Sequence, residues 1–272
     1  MPSVRESAGL PARYIGVLCD ILDGLGLDRE ALLREAKIRS IDAPGASVAL
    51  RNVEVLLAAA ERASGRLDLG FELGRRLDPT AHDVLGFALL TSPTLGHLLR
   101  LAVTYQRLLQ PFFALSLQRR AGRAELIYVP AVALAPRTLR VLEEAIVVSN
   151  HAGFRSTLGE RIPDYEVWMS IERPAHAGRY GELAPARVRF GDGTPGLRIS
   201  FPAVALDCVE ERNELLGIEE VLRFAHHSWA LRPFGRVFDE PILLDGALEG
   251  TIDGKCAVAI QADHPTFRSD PA

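Results

Sequence analysis

Cysteine is scarce in this 272-residue chain: Cys19, Cys208 and Cys256 are the only three. So few, so widely scattered, exclude a disulfide scaffold and a zinc module, which need close pairs or even sets. A reducing compartment is the simple inference. Lysine is scarcer still, with Lys37 and Lys255 standing against an otherwise arginine-based positive charge, a bias of GC-rich coding before it is a functional signal. No apolar run approaches the ~20 residues of a membrane span; the aliphatic stretch at 53–60 is closed by Glu61 and Arg62. The first residues, Met1-Pro2-Ser3-Val4-Arg5-Glu6-Ser7, contain no apolar secretory region. Neither sign of charge dominates, since 31 basic and 35 acidic residues leave −4. That balance offers no whole-protein attraction to nucleic acid or an anionic membrane. A cytoplasmic location and no membrane partner are expected.

What is present is a globular composition, 48% hydrophobic and 24% charged. Tyr14, Val17, Leu18 and Ile21 follow helical spacing, and Gly24-Leu25-Gly26 stops that helix. Asp28 can cap a second helix, a third spans about 50–64, and a shorter one covers 68–78. Over 92–110, Ser92 reads as an N-cap, Pro93 as the first helical residue, and Leu95, Leu98, Leu99, Ala102 and Val103 as an apolar face. The period then drops to two, and alternation on either side of Ala121-Gly122-Arg123 predicts a β-hairpin. A long helix at about 137–158, a strand at 165–171, a short helix near 175–182, strands at 187–190 and 197–201, and a helix at about 208–229 follow. The expected class is α+β: a helical N-terminal part followed by a small mixed sheet with packed helices.

Motifs that carry chemistry are few. Gly191-Asp192-Gly193-Thr194-Pro195-Gly196 satisfies G-x-G-x-x-G, but alternation in Leu197-Arg198-Ile199-Ser200-Phe201 predicts a strand after it. A dinucleotide site needs a helix there, so the segment reads as a hairpin connection. The seven histidines form no H-E-x-x-H, and adjacent His226 and His227 cannot share an ion as an i, i+4 pair can. No metal site, cofactor or catalytic set is expected; His151 beside Asn150 is the nearest thing to one. Residues 18–37 have the outline of a helix-turn-helix, yet Arg29, Arg34 and Lys37 are offset by Glu30, Glu35, Asp20, Asp23 and Asp28. A packed helical hairpin is the expectation, since phosphate contacts need a basic stripe. Phe87, Tyr105, Phe112, Phe113, Tyr128, Trp168 and Tyr180 are the aromatic side chains able to line a cavity, each also able to be plain core.

The stretch Leu85-Gly86-Phe87-Ala88-Leu89-Leu90-Thr91-Ser92-Pro93-Thr94-Leu95-Gly96-His97-Leu98-Leu99-Arg100 resembles the N-terminal regulatory domain of the arabinose-binding-like branch of AraC-type transcriptional regulators. Gly26-Leu27-Asp28-Arg29-Glu30-Ala31-Leu32-Leu33 and Leu69-Gly70-Phe71-Glu72-Leu73-Gly74 precede it in the family order. Val188-Arg189-Phe190 and Phe201-Pro202-Ala203-Val204-Ala205-Leu206-Asp207 close the domain. The resemblance covers about 12–227 and implies a non-enzymatic sensor that binds a small-molecule effector or a partner subunit, with a homodimer as a further family expectation. It does not single out arabinose, because the helical start is unlike an all-β sugar-binding barrel. Tyr105, Gln106 and Tyr128 are the candidate effector contacts, chosen as amphipathic side chains beside the best-defined elements.

Residues 1–11 read as a tail and 228–272 as an atypical, poorly ordered one with no helix-turn-helix. Arg232, Arg236, Lys255 and Arg268 there face seven carboxylates, and prolines and glycines break any long helix. The reading is therefore a sensor with no DNA-reading domain of its own in this chain, its tail following a frameshift or truncation after His226-His227. The alternatives are a stand-alone interaction protein that titrates full-length regulators and an α+β enzyme.

Overall fold

The computed structural model describes residues 9–207, apart from 44, 78, 192, 194 and 195. The chain divides into two units, Met1–Ser228 and Trp229–Ala272, and everything below concerns the first. The expected helix at 208–229 and the tail at 228–272 lie outside the described residues.

Helix α1 (Ala12–Gly24) buries Tyr14, Ile15, Leu18, Cys19, Ile21 and Leu22, the face set by its apolar spacing. The Asp28 carboxylate accepts the Ala31 N–H at 3.0 Å and so caps α2 (Arg29–Glu35). Leu32 and Leu33 turn inward, so the α1–α2 pair is a packed hairpin whose charges stay outside. Helix α3 (Leu50–Ser64) ends where Gly65 takes a left-handed conformation, φ 66°. Strands β1 (Gly9–Pro11) and β2 (Ser47–Ala49) pair antiparallel just before α1 and α3. Three-residue strands are too short for alternation to reveal.

Helix α4 (Leu69–Arg76) crosses α8 (Pro136–Leu158) at Gly70 and Gly74. Asp68 and Glu72 at its start bind Arg66 and Arg179, and Arg179 also lies over the Phe71 ring at 4.8 Å. These contacts latch the 3₁₀ segment Ala177–Leu183 onto α4. Hydrogen bonds from both arginines hold the Asp68 carboxyl far below the usual carboxylate range.

After a 3₁₀ turn (Pro79–His82), α5 (Asp83–Leu90) leads into α6 (Leu95–Thr104) and the single turn α7 (Gln106–Leu109). The expected 92–110 helix is therefore shorter and divided. Thr94, not Ser92, is the cap: its hydroxyl accepts the His97 N–H at 3.1 Å from an extended backbone. The Ser92 hydroxyl donates instead to the Ala88 carbonyl at 2.9 Å, which joins the helix before it. Tyr105, with φ −104° and ψ 19°, breaks the helix into two. Thr94→Ala is expected to cost about 1 kcal/mol, read by urea denaturation.

The sheet has the order β3-β4-β7-β5-β6, with β3 (Phe113–Arg120), β4 (Arg123–Pro130), β5 (Tyr165–Met169), β6 (Ala186–Phe190) and β7 (Leu197–Pro202). The predicted hairpin is β3–β4, turned by Ala121 and Gly122 with φ 47° and 76°, as a two-residue turn requires. The hairpin expected at 191–196 does not form. Strand β5 lies between β6 and β7, parallel to the first and antiparallel to the second, so the segment spans a strand instead of turning back on one. Local alternation cannot show such an insertion. The glycines serve that crossing: a Cβ at Gly196 (φ 90°) would collide with the Tyr128 carbonyl.

Helix α8 covers one face of the sheet and buries Glu143 and Glu144 completely. Glu143 accepts the Ser170 N–H at 3.1 Å and the Ser170 hydroxyl. Glu144 meets His176 Nε2 at 2.6 Å and accepts the Tyr180 hydroxyl at 3.2 Å. Burial pushes the Glu144 carboxyl above its usual range. An acid raised in the folded state contributes stability below its unfolded pKa and loses it as pH rises through the folded one. The stability difference between Glu144→Gln and wild type should therefore grow in the variant's favour from pH 4.5 to 8, measured by denaturant titration at each pH. Among the described residues, no helix is long and apolar enough to cross a membrane.

Candidate functional site

A cavity of about 70 Å³ lies between the α4–α7 segment and α8, closed on the sheet side by β4. Its walls follow from periodicity. Leu98, Leu99 and Ala102 share the inner face of α6; Ile146, Ser149, Asn150, Gly153 and Phe154 share one face of α8; Tyr128 is an inward residue of β4. Leu77, His82, Leu89, Leu109 and Gln110 complete the lining. Among the described residues that line it there is no Asp, Glu, Lys or Arg.

The polar groups are neutral amides and hydroxyls plus one imidazole. Asn150 Nδ2 donates to the Tyr128 hydroxyl at 3.0 Å and to the Ile146 carbonyl at 2.8 Å, which fixes the amide on the helix. Burial holds the Tyr128 hydroxyl well above the usual phenol range, so it stays protonated. His82 Nδ1 meets the Tyr14 hydroxyl at 2.8 Å, tying the cavity's 3₁₀ wall to α1. The Ser149 hydroxyl reaches the Ile146 carbonyl at 3.4 Å. An apolar hollow with a few neutral hydrogen-bonding groups suits recognition of a small molecule.

Of the three candidate contacts, Tyr128 lines the cavity. Tyr105 and Gln106 do not: Tyr105 ends α6, and Gln106 accepts the Leu115 N–H at 3.2 Å, tying α7 to β3. Phe112 and Phe113 are fully buried core, and Tyr180 packs edge-on to Phe71 at 4.8 Å. Trp168 lies on the opposite side of the sheet from α8, with Arg198 over its ring at 4.5 Å. The side chain of Phe87 is outside the described residues. Sequence reasoning missed Ser149, Asn150 and Gly153 as a group, although the i, i+1, i+4 spacing with Ile146 before them marks one helical face.

His151 Nδ1 bonds the Tyr165 hydroxyl at 2.7 Å in the core, and burial lowers its pKa. The Ser92 hydroxyl donates to the Ala88 carbonyl and lies 3.1 Å from His97 Nδ1. Among the described residues, no group of His, Cys, Asp and Glu is placed to hold a metal ion.

Residues 26–208 match the family described as the arabinose-binding domain of AraC transcription regulators, N-terminal. The chain belongs to this family. Its ordered motifs are thus those of an AraC-type regulatory domain. It is 31% identical over 200 residues to the ornithine utilization regulator of Pseudomonas aeruginosa, covering 73% of this chain and 58% of that protein. The fold resembles the crystal structure of the transcriptional regulator CdpR from Pseudomonas aeruginosa, with a TM-score of 0.51, 15% identity, and 67% of this chain against 56% of that one. The chain therefore spans less than three fifths of the length of either relative. In this AraC-type domain the described residues that line the cavity all lie within the family match.

Proposed function

We propose that this domain senses a small-molecule effector in the cavity between α6, α8 and Tyr128, as the regulatory, non-enzymatic part of a cytoplasmic AraC-type regulator. The observation that carries the reading is a mostly apolar hollow with a few polar groups, placed inside the family's regulatory domain. DNA reading belongs to no element described above: α1 and α2, the helix-turn-helix look-alike, commit their apolar faces to the core and balance their charges.

The cavity's size suggests how sensing works. At about 70 Å³ it is roughly half the ~150 Å³ that accepts benzene in an apolar protein interior. A ligand larger than a few atoms has to widen it, and the Pro79–His82 turn with α5 supplies Leu89 and His82 to one wall. A ligand that binds the widened state better shifts the population toward it, which is the coupling an effector needs. L-Ornithine enters the screen because of the relative's name, among other small metabolites. A thermal-shift screen of the full chain tests the reading, since a ligand at 100 times its Kd adds about 2.7 kcal/mol of stability. A saturable rise in Tm that Ala102→Trp abolishes supports it. A screen without a saturable shift, or one unaffected by Ala102→Trp, contradicts it.

A further inference from the structure

A second hollow, of about 190 Å³, lies where α4, α8 and the Ala177–Leu183 segment meet. Phe71, Val148, Ala152 and Leu183 give it an apolar surface, and Arg75, Arg155 and Glu182 add charge. His151 reaches it from the core. Its volume exceeds the ~150 Å³ that accepts benzene in an apolar protein interior.

The distinguishing group is a buried imidazole with one nitrogen to spare. His151 is only 7% exposed, and its Nδ1 lies 2.7 Å from the Tyr165 hydroxyl. Its Nε2 has no hydrogen-bond partner among the described residues. Burial, with the Arg155 charge adding to it, lowers the His151 pKa, so near neutral pH the ring holds a single proton. Tyr165 decides where that proton sits. It is 2% exposed, burial keeps its hydroxyl protonated, and Nδ1 is its one hydrogen-bond partner among the described residues. A buried hydroxyl proton left unbonded is costly, so Tyr165 donates and Nδ1 accepts. The ring proton is therefore on Nε2, and the hollow meets a fixed N–H donor.

A fixed donor among apolar neighbours calls for an acceptor, and Arg75 favours a charged one. The Arg75 side chain is half exposed; one amino group is committed to Glu182, and its other N–H groups bond no described residue. Glu182 is held from its other side by Arg179 at 3.2 Å. A carboxylate gains from His151 and Arg75 together, because charge-assisted hydrogen bonds are about twice as strong as neutral ones.

We propose that this hollow is a second ligand site, which takes a small monocarboxylate with an apolar body, bound through His151 Nε2–H and Arg75. It is separate from the cavity beside Tyr128 and does not depend on the effector reading. A carboxylate there touches α4, α8 and the Ala177–Leu183 segment at once, and so stabilises their junction.

The test is methyl NMR of the full chain, titrated with benzoate, benzamide and benzylamine, which share a ring and differ in charge. Benzoate is expected to bind about tenfold more tightly than benzamide, with benzylamine weakest and saturable shifts on Val148 and Leu183. Ala102→Trp should leave those shifts in place. Nitrogen-15 spectra of the histidine rings should show His151 neutral with its proton on Nε2, and that nitrogen should move when benzoate is added. Arg75→Gln is expected to bring benzoate within about threefold of benzamide. The pair His151→Phe with Tyr165→Phe removes both ends of the buried bond; folded by circular dichroism, it is expected to lose benzoate binding. No saturable binding of benzoate, or equal binding of benzamide or benzylamine, overturns the site. A proton on Nδ1, a charged ring, or unchanged binding in the double variant overturns the role of His151. Unchanged selectivity in Arg75→Gln overturns that of Arg75, and shifts that vanish in Ala102→Trp overturn the separateness of the site.

Discussion

Gly74→Ala should destabilise the protein by about 2–3 kcal/mol, and Gly74→Val by more, although intrinsic helix propensity alone favours either residue over glycine. The reason is the distance between two helices. A Cβ on Gly74 would lie 2.6 Å from the Val148 Cβ, 2.7 Å from the Ala145 carbonyl and 3.0 Å from the Ala145 Cα. Two of these three neighbours are backbone of α8, which cannot swing aside as a flexible side chain can. Gly70 is in the same position one turn earlier, facing the Val141 carbonyl and Glu144. Helix α4 therefore has to move away as a body, opening a gap along the contact with α8 and loosening the buried Glu144 with its partners. Urea denaturation of the full chain followed by circular dichroism reads the cost.

Phe71→Ala should cost about 3–5 kcal/mol, the range for removing a fully buried aromatic ring. Phe71 is the apolar centre under the Ala177–Leu183 segment: its ring stands edge-on to Tyr180 at 4.8 Å and to His176 at 6.4 Å, with Arg179 over it. Losing it removes the surface that Tyr180, His176 and Arg179 share and leaves Glu144 with loosened partners. Asp68→Asn should cost less, about 1 kcal/mol, because the Arg66–Asp68–Arg179 cluster is partly open to water, where ion pairs gain little net energy. Measuring both by denaturant titration ranks packing against charge in holding this segment. A larger loss for Asp68→Asn would reverse the ranking.

Much of the scaffold was legible because its long elements carry strong periodicity. Residues 50–64 have an apolar stripe and a terminal glycine, and α3 spans those residues. The α8 stripe and the Ala121-Gly122 turn are equally explicit. Helix α5 is different: Asp83-Val84-Leu85-Gly86-Phe87-Ala88-Leu89-Leu90 is apolar at almost every position, so no polar face marks its period. Thr94 and Ser92 are both good caps two residues apart, and only the packing of Ser92 onto Ala88 decides between them. The neighbour relations of β5, β6 and β7 are long-range facts with no local signature. The cavity was legible least. Tyr128 stood out as an aromatic with a polar end, but Ser149 and Asn150 look like ordinary helix residues until α6 is brought opposite them.

The most direct test of effector sensing is methyl NMR of the full chain, titrated with any compound whose rise in melting temperature Ala102→Trp abolishes. The account predicts saturable shifts concentrated on Leu98, Leu99, Ala102 and Ile146, and their loss in Ala102→Trp. Shifts confined instead to Val148 and Leu183, in the separate hollow beside Arg75 and Arg155, or turnover of the compound without saturable binding, would contradict it.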